Sequence, residues 1–303
     1  MKYALSIDIG GTNTRVSLID NTLNVVAYES FTTEAQDPLL TLEKIENIIA
    51  SYDKEIIGAG VSCPGPLDLK QGIILSPPNL PGWHGFELVK EMRNRFNMEV
   101  YLENDANLAG LAEAAVGAGK SHGTVQYLTI STGVGGGFVI NGEIFQGSQG
   151  FAQEIANVIL VPGGFKLGEL QAGSLESIAS GTAIVARARE KGIKALHAGE
   201  VNDLAQLNNA ICIEIMEDAK EYLANAIATI YAFLDPEIVV LGGSVALKID
   251  GFIEDVENRV KSKVYPVVAK HVKIRKALLG EDNGIIGGAI LAFNKKEIDY
   301  VNS

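Results

Sequence analysis

One pattern, present twice, restricts the fold more than anything else in this chain. "ALSIDIGGTNTRVSLIDN" (residues 4–21) and "YLTISTGVGGGFVING" (residues 127–142) share a plan. Each runs as an apolar strand, a Thr/Gly turn, a second apolar strand and an Asn-containing turn. Glycine weakens a strand and marks places where something approaches the backbone closely. An internal duplication of a strand-rich α/β unit explains the echo. It predicts two similar α/β lobes, each a mixed β-sheet with flanking helices, around a central cleft.

The rest of the sequence fits that frame. "YALSIDI" places Tyr3, Leu5, Ile7 and Ile9 on one strand face, and "RVSLID" and "NVVAYESF" continue a three-strand meander. "PLLTLEKIENIIASY" has Leu39, Leu42, Ile45 and Ile49 at helical spacing behind Pro38, a first-turn residue. "IIGAGVSC" and "EVYLE" read as strands and "LVKEMRNRF" as a helix. "NDANLAGLAEAAVGAG" is a helix with cap residues at both ends. "TVQYLTIS", "GFVING" and "EIFQG" form the second meander, residues 207–234 one long helix, and "EIVVLGG" a strand ending in a Gly pair. The tail "NGIIGGAILAFNKKEI" is a helix rich in small residues at its start. The expected division is a smaller lobe over residues 1–117, joined by a C-terminal helix over 286–303, and a larger lobe over 118–285.

Composition removes several classes of function. The chain has 303 residues, 47% hydrophobic and 20% charged, with a formal net charge of −12. No basic cluster offers a nucleic-acid face. No apolar run reaches the length of a membrane helix, and no signal-peptide core follows Lys2. A cytoplasmic protein with no nucleic-acid or membrane partner is expected. Cys63 and Cys212 are too few for a disulfide scaffold or a thiolate zinc site and read as buried free thiols. His84, His122, His197 and His271 have no spacing that suggests a ligand set.

The two glycine turns, "DIGGT" and "STGVGGG", each offer successive amides and Thr hydroxyls. Such turns form anion-binding concavities, and glycine lets a ligand touch the backbone. A pair at equivalent places suggests two jaws on a polyphosphate. "LGGSVA" (241–246) follows a strand and opens a helix, a third bare segment suited to a nucleotide. None of these matches the GxGxxG or GxxxxGK[ST] patterns. Asp8, at a strand end before the first turn, is placed to hold Mg²⁺, which takes one or two carboxylates plus water. In "ENDAN", Asn104 is a candidate N-cap. Asp105 then lies in the first helical turn, where the helix dipole is expected to keep its carboxylate ionised and ready to accept a hydroxyl proton.

"DIGGTNTR", "GVSCPGPLD", "NLPGW", "ENDAN", "STGVGGG", "ESIASGTA" and "GEDNGIIGGA" occur in this order over nearly the whole chain. Together they resemble the ROK family of repressors and sugar kinases, within the actin-like ATPase superfamily with its ribonuclease H-like lobes. The repressors carry an N-terminal helix-turn-helix domain, and this chain starts directly at its first strand, as the kinase branch does. The resemblance implies ATP- and Mg²⁺-dependent phosphorylation of the 6-hydroxyl of a hexose, with Asp105 as general base. It implies that Gly65, Asn79, Asn104, Glu154 and Glu176 bind the sugar. Gly10, Gly11, Thr12, Asn13, Arg15, Thr132 and Gly133 then face the phosphates, with Gly242 and Gly243 near the nucleoside. It also implies a homodimer. A non-enzymatic sugar sensor and an actin-like filament protein are the rival readings, and Asp105, Glu154 and Glu176 argue against them.

One stretch departs from the family pattern. The family's E-x-G-H and C-x-C-G-x-x-G-C-x-E segments hold a structural zinc. Here the segment reads "EIANVILVPGGFKLGELQAGSLE", with Asn157 in place of the His and Gln171, Gly173 and Ser174 where thiolates fall. Zinc needs a closed set of N/S ligands, so no zinc site is expected. The loop 162–173 must then be held by packing of Phe165, Leu167 and Leu170, or be mobile. Asn157 also replaces a sugar contact. Glucose leads as the substrate, with N-acetylmannosamine, fructose or a β-glucoside as alternatives.

Overall fold

The computed structural model describes residues 1–77 and 79–297. By contacts the chain divides into two units. The first comprises Met1–Ala112, Ile144–Ala152 and the segment from Glu281 on; the second comprises Glu113–Glu143 and Gln153–Gly280.

The first unit is built on a sheet in the order β3-β2-β1-β4-β7. Its strands are β1 (Tyr3–Ile9), β2 (Asn13–Asp20), β3 (Val25–Thr32), β4 (Ile56–Ser62) and β7 (Val100–Glu103), with β5 (Leu67–Asp68) and β6 (Ile73–Ile74) in a separate small hairpin. Helix α1 (Pro38–Ala50) follows β3, α2 (Leu88–Phe96) precedes β7, and α3 (Asp105–Val116) follows it. The β1–β2 and β2–β3 pairs are antiparallel, and β1–β4 and β4–β7 are parallel. Asp37 starts α1 by accepting the amides of Leu39 and Leu40, with Pro38 in the first turn.

β1 is buried on both faces. Leu5, Ile7 and Ile9 join Leu42, Ile45, Leu88 and Met92 in one core. Ala4, on the opposite face, packs with Ala289, Ala292 and Phe293. Small residues set this second interface: a Cβ added at Gly60 would lie 2.0 Å from the Gly288 carbonyl oxygen, and one at Gly288 would lie 2.3 Å from the Ser6 Oγ. The glycines of "IIGG" thus bring the last helix onto the sheet.

The second unit repeats the plan, with sheet order β10-β9-β8-β11-β12. Its strands are β8 (Thr124–Ile130), β9 (Val134–Ile140), β10 (Glu143–Ile144), β11 (Ile238–Gly242) and β12 (Ile274–Lys276). β8–β9 is antiparallel, and β8–β11 and β11–β12 are parallel. The sequence echo is therefore an echo of topology. Helices α4 (Leu175–Ala179), α5 (Gly181–Glu190), α6 (Ala198–Gln206), α7 (Ala210–Leu234), α8 (Ser244–Lys248), α9 (Phe252–Lys263) and α10 (Pro266–Ala269) belong to this unit. The long α7 buries Cys212, Ile215, Ala219, Leu223, Ile227 and Ile230. It begins at 210 rather than 207 because Asn209 caps it, accepting the Cys212 amide at 3.1 Å.

The last helix, α11, spans Asn283–Lys295 and falls to the first unit. Residues 298–303, the end of the helix expected over 286–303, lie outside the described residues. No helix among the described residues is long and apolar enough to cross a membrane.

Candidate active site

The first unit gathers its polar groups at the carboxyl ends of its parallel strands. Arg15, Asp8, Ser62 and Glu103 stand in one register row across β2, β1, β4 and β7. Open α/β sheets place ligands at this edge. Ser62 Oγ donates to Asp8 Oδ1 at 2.6 Å, and Arg15 Nη1 lies 3.8 Å from Asp8 Oδ2. That separation, at half-exposed side chains, is an ion pair of little stabilising value. It leaves the Arg15 charge available to an anion.

The turn between β1 and β2 is braced by Thr33, the residue after β3. Thr33 Oγ1 donates to the Gly10 carbonyl at 2.8 Å, and the Thr33 amide donates to the Thr12 carbonyl at 2.9 Å. The Gly10 amide is committed to the Asn13 carbonyl at 2.9 Å. Thr12 and Asn13 are exposed. Gly11 has a neighbour from the protein itself, since a Cβ there would sit 2.8 Å from the Cβ of Asn79. Asn79 rides on a loop anchored by Trp83, which is buried and donates Nε1–H to the Glu34 carbonyl at 3.0 Å. Gly65 precedes Pro66 in a cis peptide bond.

Directly after β7, Asn104 caps α3: its Oδ1 accepts the Ala106 amide at 2.9 Å, and its carbonyl accepts the Leu108 amide at 3.1 Å. The Ala106 amide also reaches Asp105 Oδ1 at 2.8 Å. Asp105 is open to water, and the protein around it desolvates its carboxylate. Crowding governs its charge. Desolvation raises the pKa of Asp105 above the ordinary Asp value, the charge of Asp8 adds to the rise, and the amides pull against it. The helix dipole does not decide the matter: desolvation outweighs it, and the Asp105 carboxylate holds a proton more tightly than a free aspartate does. Cys63 belongs to the same neighbourhood. Burial pushes its thiol upward, and Asp8 and Asp105 push it further.

The second unit's turn, residues 131–133, is filled from inside. The Val134 amide donates to Glu176 Oε2 at 2.8 Å. That carboxylate passes so near that a Cβ at Gly133 would lie 2.8 Å from it. Glu176, expected among sugar contacts, thus sits on the turn expected to hold phosphate. Beside this turn opens a cavity of about 1110 Å³, walled by Ser131, Thr132, Thr182, Arg189, Ser244 and Lys248 among others. Gly243, at φ +85°, forms the corner behind Ser244, where a Cβ would strike the Ile130 carbonyl at 2.4 Å. Of the second unit's residues expected at the nucleotide, Thr132 reaches the cavity wall directly. Thr182, Arg189 and Lys248 were not foreseen. The Ser180 cap of α5, which accepts the Ala183 amide at 3.1 Å, is the local signal that places Thr182 and Arg189 on one helix.

Glu154 and Asn157 share a 3-10 turn, both exposed, with Asn157 Nδ2 donating to Glu154 Oε2 at 3.2 Å. Beyond them, the loop that holds zinc in the family pattern is closed by hydroxyls and main chain. Ser174 Oγ donates to Ser177 Oγ at 3.0 Å, and Ser177 Oγ donates to the Gln171 carbonyl at 3.1 Å. The Gly173 amide reaches the Phe165 carbonyl at 2.8 Å, and the Gly173 carbonyl takes the Leu160 amide at 2.9 Å. Phe165, Leu167 and Leu170 are only half-buried, so a polar clasp works alongside their packing. Asn, Gln, Gly and Ser do not fit a zinc ion's donor set. Among the described residues no group of three His, Cys, Asp or Glu side chains is placed to hold a metal. Asp8 offers the single carboxylate that Mg²⁺ commonly takes from a protein, the rest of an octahedral shell coming from water and phosphate.

The ROK family pattern matches residues 4–295. The chain belongs to the ROK family. This ROK chain is 30% identical to the glucokinase of Halalkalibacterium halodurans over 96% of its own length and 94% of that protein. It is also 30% identical to the N-acetylmannosamine kinase of Yersinia pestis, over 96% of its length and 99% of that one. Among solved structures, the ROK hexokinase from Thermus thermophilus superposes with a TM-score of 0.88 at 28% identity, covering 97% of this ROK chain and 99% of that one. The mixed α/β architecture of both units is that of the ROK hexokinases.

Proposed function

We propose that this ROK chain is an ATP-dependent sugar kinase that transfers the γ-phosphoryl group to the 6-hydroxyl of a hexose. The observation that carries the reading is Asp105: a crowded carboxylate of raised pKa, held at a helix start directly after the sheet's carboxyl edge. Asp105 accepts the hydroxyl proton as the oxygen attacks phosphorus, and the bond to the ADP oxygen breaks. A base contributes about 10²–10⁴-fold when its pKa suits the working pH. Asn104 orients hydroxyls beside it, with Gly65 and Asn79 in the same unit. Glu154, Asn157 and Glu176 are assigned as further hydroxyl partners.

The donor half of the reaction is assigned to the second unit. The cavity beside Thr132 and Gly133 takes the nucleotide, with the Gly242–Gly243 corner behind it. Thr12, Asn13 and Arg15 are assigned to the phosphates, where the Arg15 guanidinium adds a full charge that amides supply only in part. Mg²⁺, when bound through Asp8, neutralises phosphate charge. No zinc is included.

Glucose is the leading acceptor. The glucokinase and the N-acetylmannosamine kinase are equally similar to this chain, and Asn157 changes the shape of one sugar contact, so the sugar is assigned only as a hexose. A screen of free hexoses, N-acetylhexosamines and glucosides for ADP release, with metal analysis of the same sample, tests the reading. Release with at least one hexose supports it. Binding without release across the panel would favour a sugar sensor. A homodimer belongs to the same proposal, and sedimentation tests it.

A further inference from the structure

Among the buried acids that the chemistry above does not use, Glu103 stands nearest the proposed base. Glu103 ends β7 and is fully buried, immediately before Asn104. Its Oε1 accepts the Asn104 amide at 2.9 Å and Asn107 Nδ2 at 2.8 Å, and its Oε2 accepts Gln146 Nε2 at 2.6 Å. The donors come from the strand–helix corner, from the first turns of α3 and from the segment Ile144–Ala152 of the same unit. Burial pushes the Glu103 carboxyl upward, while these donors and Lys295 pull it back.

A buried acid with neutral donors is a costly way to fill a core position. Its geometry suggests why it is there. The Asn104 amide lies in the peptide plane that enters the cap, so fixing that N–H fixes the plane that ends at the Asn104 Cα, one residue before Asp105. Asn107 is buried, and its Oδ1 has no hydrogen-bond partner among the described residues. Among the described residues Glu103 is the hydrogen-bond partner that orients that amide on the next stretch of α3. Strand end and helix start are bolted to one carboxylate.

We propose that Glu103 is a positioning residue for the Asn104–Asp105 corner, aiming the base at the acceptor hydroxyl and, through Gln146, tying the segment Ile144–Ala152 to the same point. The inference rests on the reading of Asp105 as the base. Misplacing a reacting group by about 1 Å costs about 10²-fold, which sets the scale of the effect.

Three variants of the full chain test it. Glu103→Ala removes the acceptor for all three donors. Glu103→Gln keeps Oε1 for Asn104 and Asn107 and turns Nε2 toward Gln146, whose own amide flips to meet it. Gln146→Ala, at an exposed residue, cuts only the tie to the segment. Glu103→Ala is expected to lower kcat with a hexose about 30-fold or more, with KM for ATP within about two-fold and a single cooperative unfolding transition. Glu103→Gln is expected to recover to within about five-fold of the parent, and Gln146→Ala to fall between them. Parental kcat in Glu103→Ala would overturn the proposal, as would Glu103→Gln being as slow as Glu103→Ala. Should Glu103→Ala not fold, the order of Gln146→Ala and Glu103→Gln below the parent decides, and parental kcat in Gln146→Ala overturns the proposal. Crystal structures of the parent and Glu103→Gln or Gln146→Ala give a readout free of activity. Displacement of the Asp105 carboxyl in Gln146→Ala but not in Glu103→Gln supports the role, and an unmoved carboxyl in Gln146→Ala overturns it. If the parent phosphorylates no hexose, the kinase reading fails while this comparison still decides the positioning role.

Discussion

The two units share a strand order and differ in what they place along one edge. In the first, the row at the carboxyl ends of the strands is Arg15, Asp8, Ser62 and Glu103. In the second, the corresponding row across β9, β8 and β11 is Gly135, Thr129 and Gly242. One edge carries charged and hydroxyl side chains, and the other is nearly bare backbone beside a cavity of about 1110 Å³. The two scaffolds share a hydrogen-bonding frame and differ at their edges. Function of this kind resides in a few edge residues and not in the topology.

The comparison breaks most visibly at Asp105. Asp105→Asn is expected to lower kcat by about 10²–10⁴-fold while nucleotide affinity, assigned to the second unit's cavity and to Thr12, Asn13 and Arg15, stays near the parental value in calorimetric titration. Loss of both would mean the two edges are not separable. A paired glycine substitution comes next. Gly60→Ala places a Cβ 2.0 Å from the Gly288 carbonyl in the first unit, and Gly243→Ala places one 2.4 Å from the Ile130 carbonyl at φ +85° in the second. Each is expected to cost about 3 kcal/mol in urea denaturation, but only Gly243→Ala should also weaken nucleotide binding.

The pH dependence sharpens the contrast. The raised pKa of Asp105 means that its basic form disappears as pH falls at a higher pH than for a free aspartate, near about 3.9. The acid limb of the kcat/KM profile for sugar should therefore lie above that value. Nucleotide affinity should not follow the same limb. An acid limb at the free-aspartate value would remove desolvation from the account. The smallest effect is expected at the clasp. Ser177→Ala should cost about 1–2 kcal/mol and speed amide exchange at Leu167, while a zinc chelator should leave the parental melting temperature unchanged.

Much of this was legible in the sequence, for identifiable reasons. The alternation in "YALSIDI" and "RVSLID" fixes faces and register, and the Asn104 cap follows from "ENDAN" before an Ala/Leu run. What escaped depends on distance in the chain. The helix dipole at Asp105 is visible locally, but its desolvation and the charge of Asp8 are not. The glycines of both turns signal close approach without saying by what. At Gly11 it is Asn79, and at Gly133 it is Glu176. Glu103 reads as the polar end of a short strand until Gln146 is seen against it. The strands β5, β6 and β12 are too short for periodicity to find.

Helix α11 is synthesised long after β1, yet it covers one face of that strand. Until Asn283–Lys295 has emerged, Ala4 and Ile19 lack Ala289, Ala292 and Phe293, the partners that complete their cluster. The first unit must therefore wait for α11 to emerge before it seals, whereas the second has every strand and helix of its sheet by Gly280. A nascent chain of this kind should pass through a stage with its second half compact and its first half still exposing apolar surface, the condition that chaperones recognise.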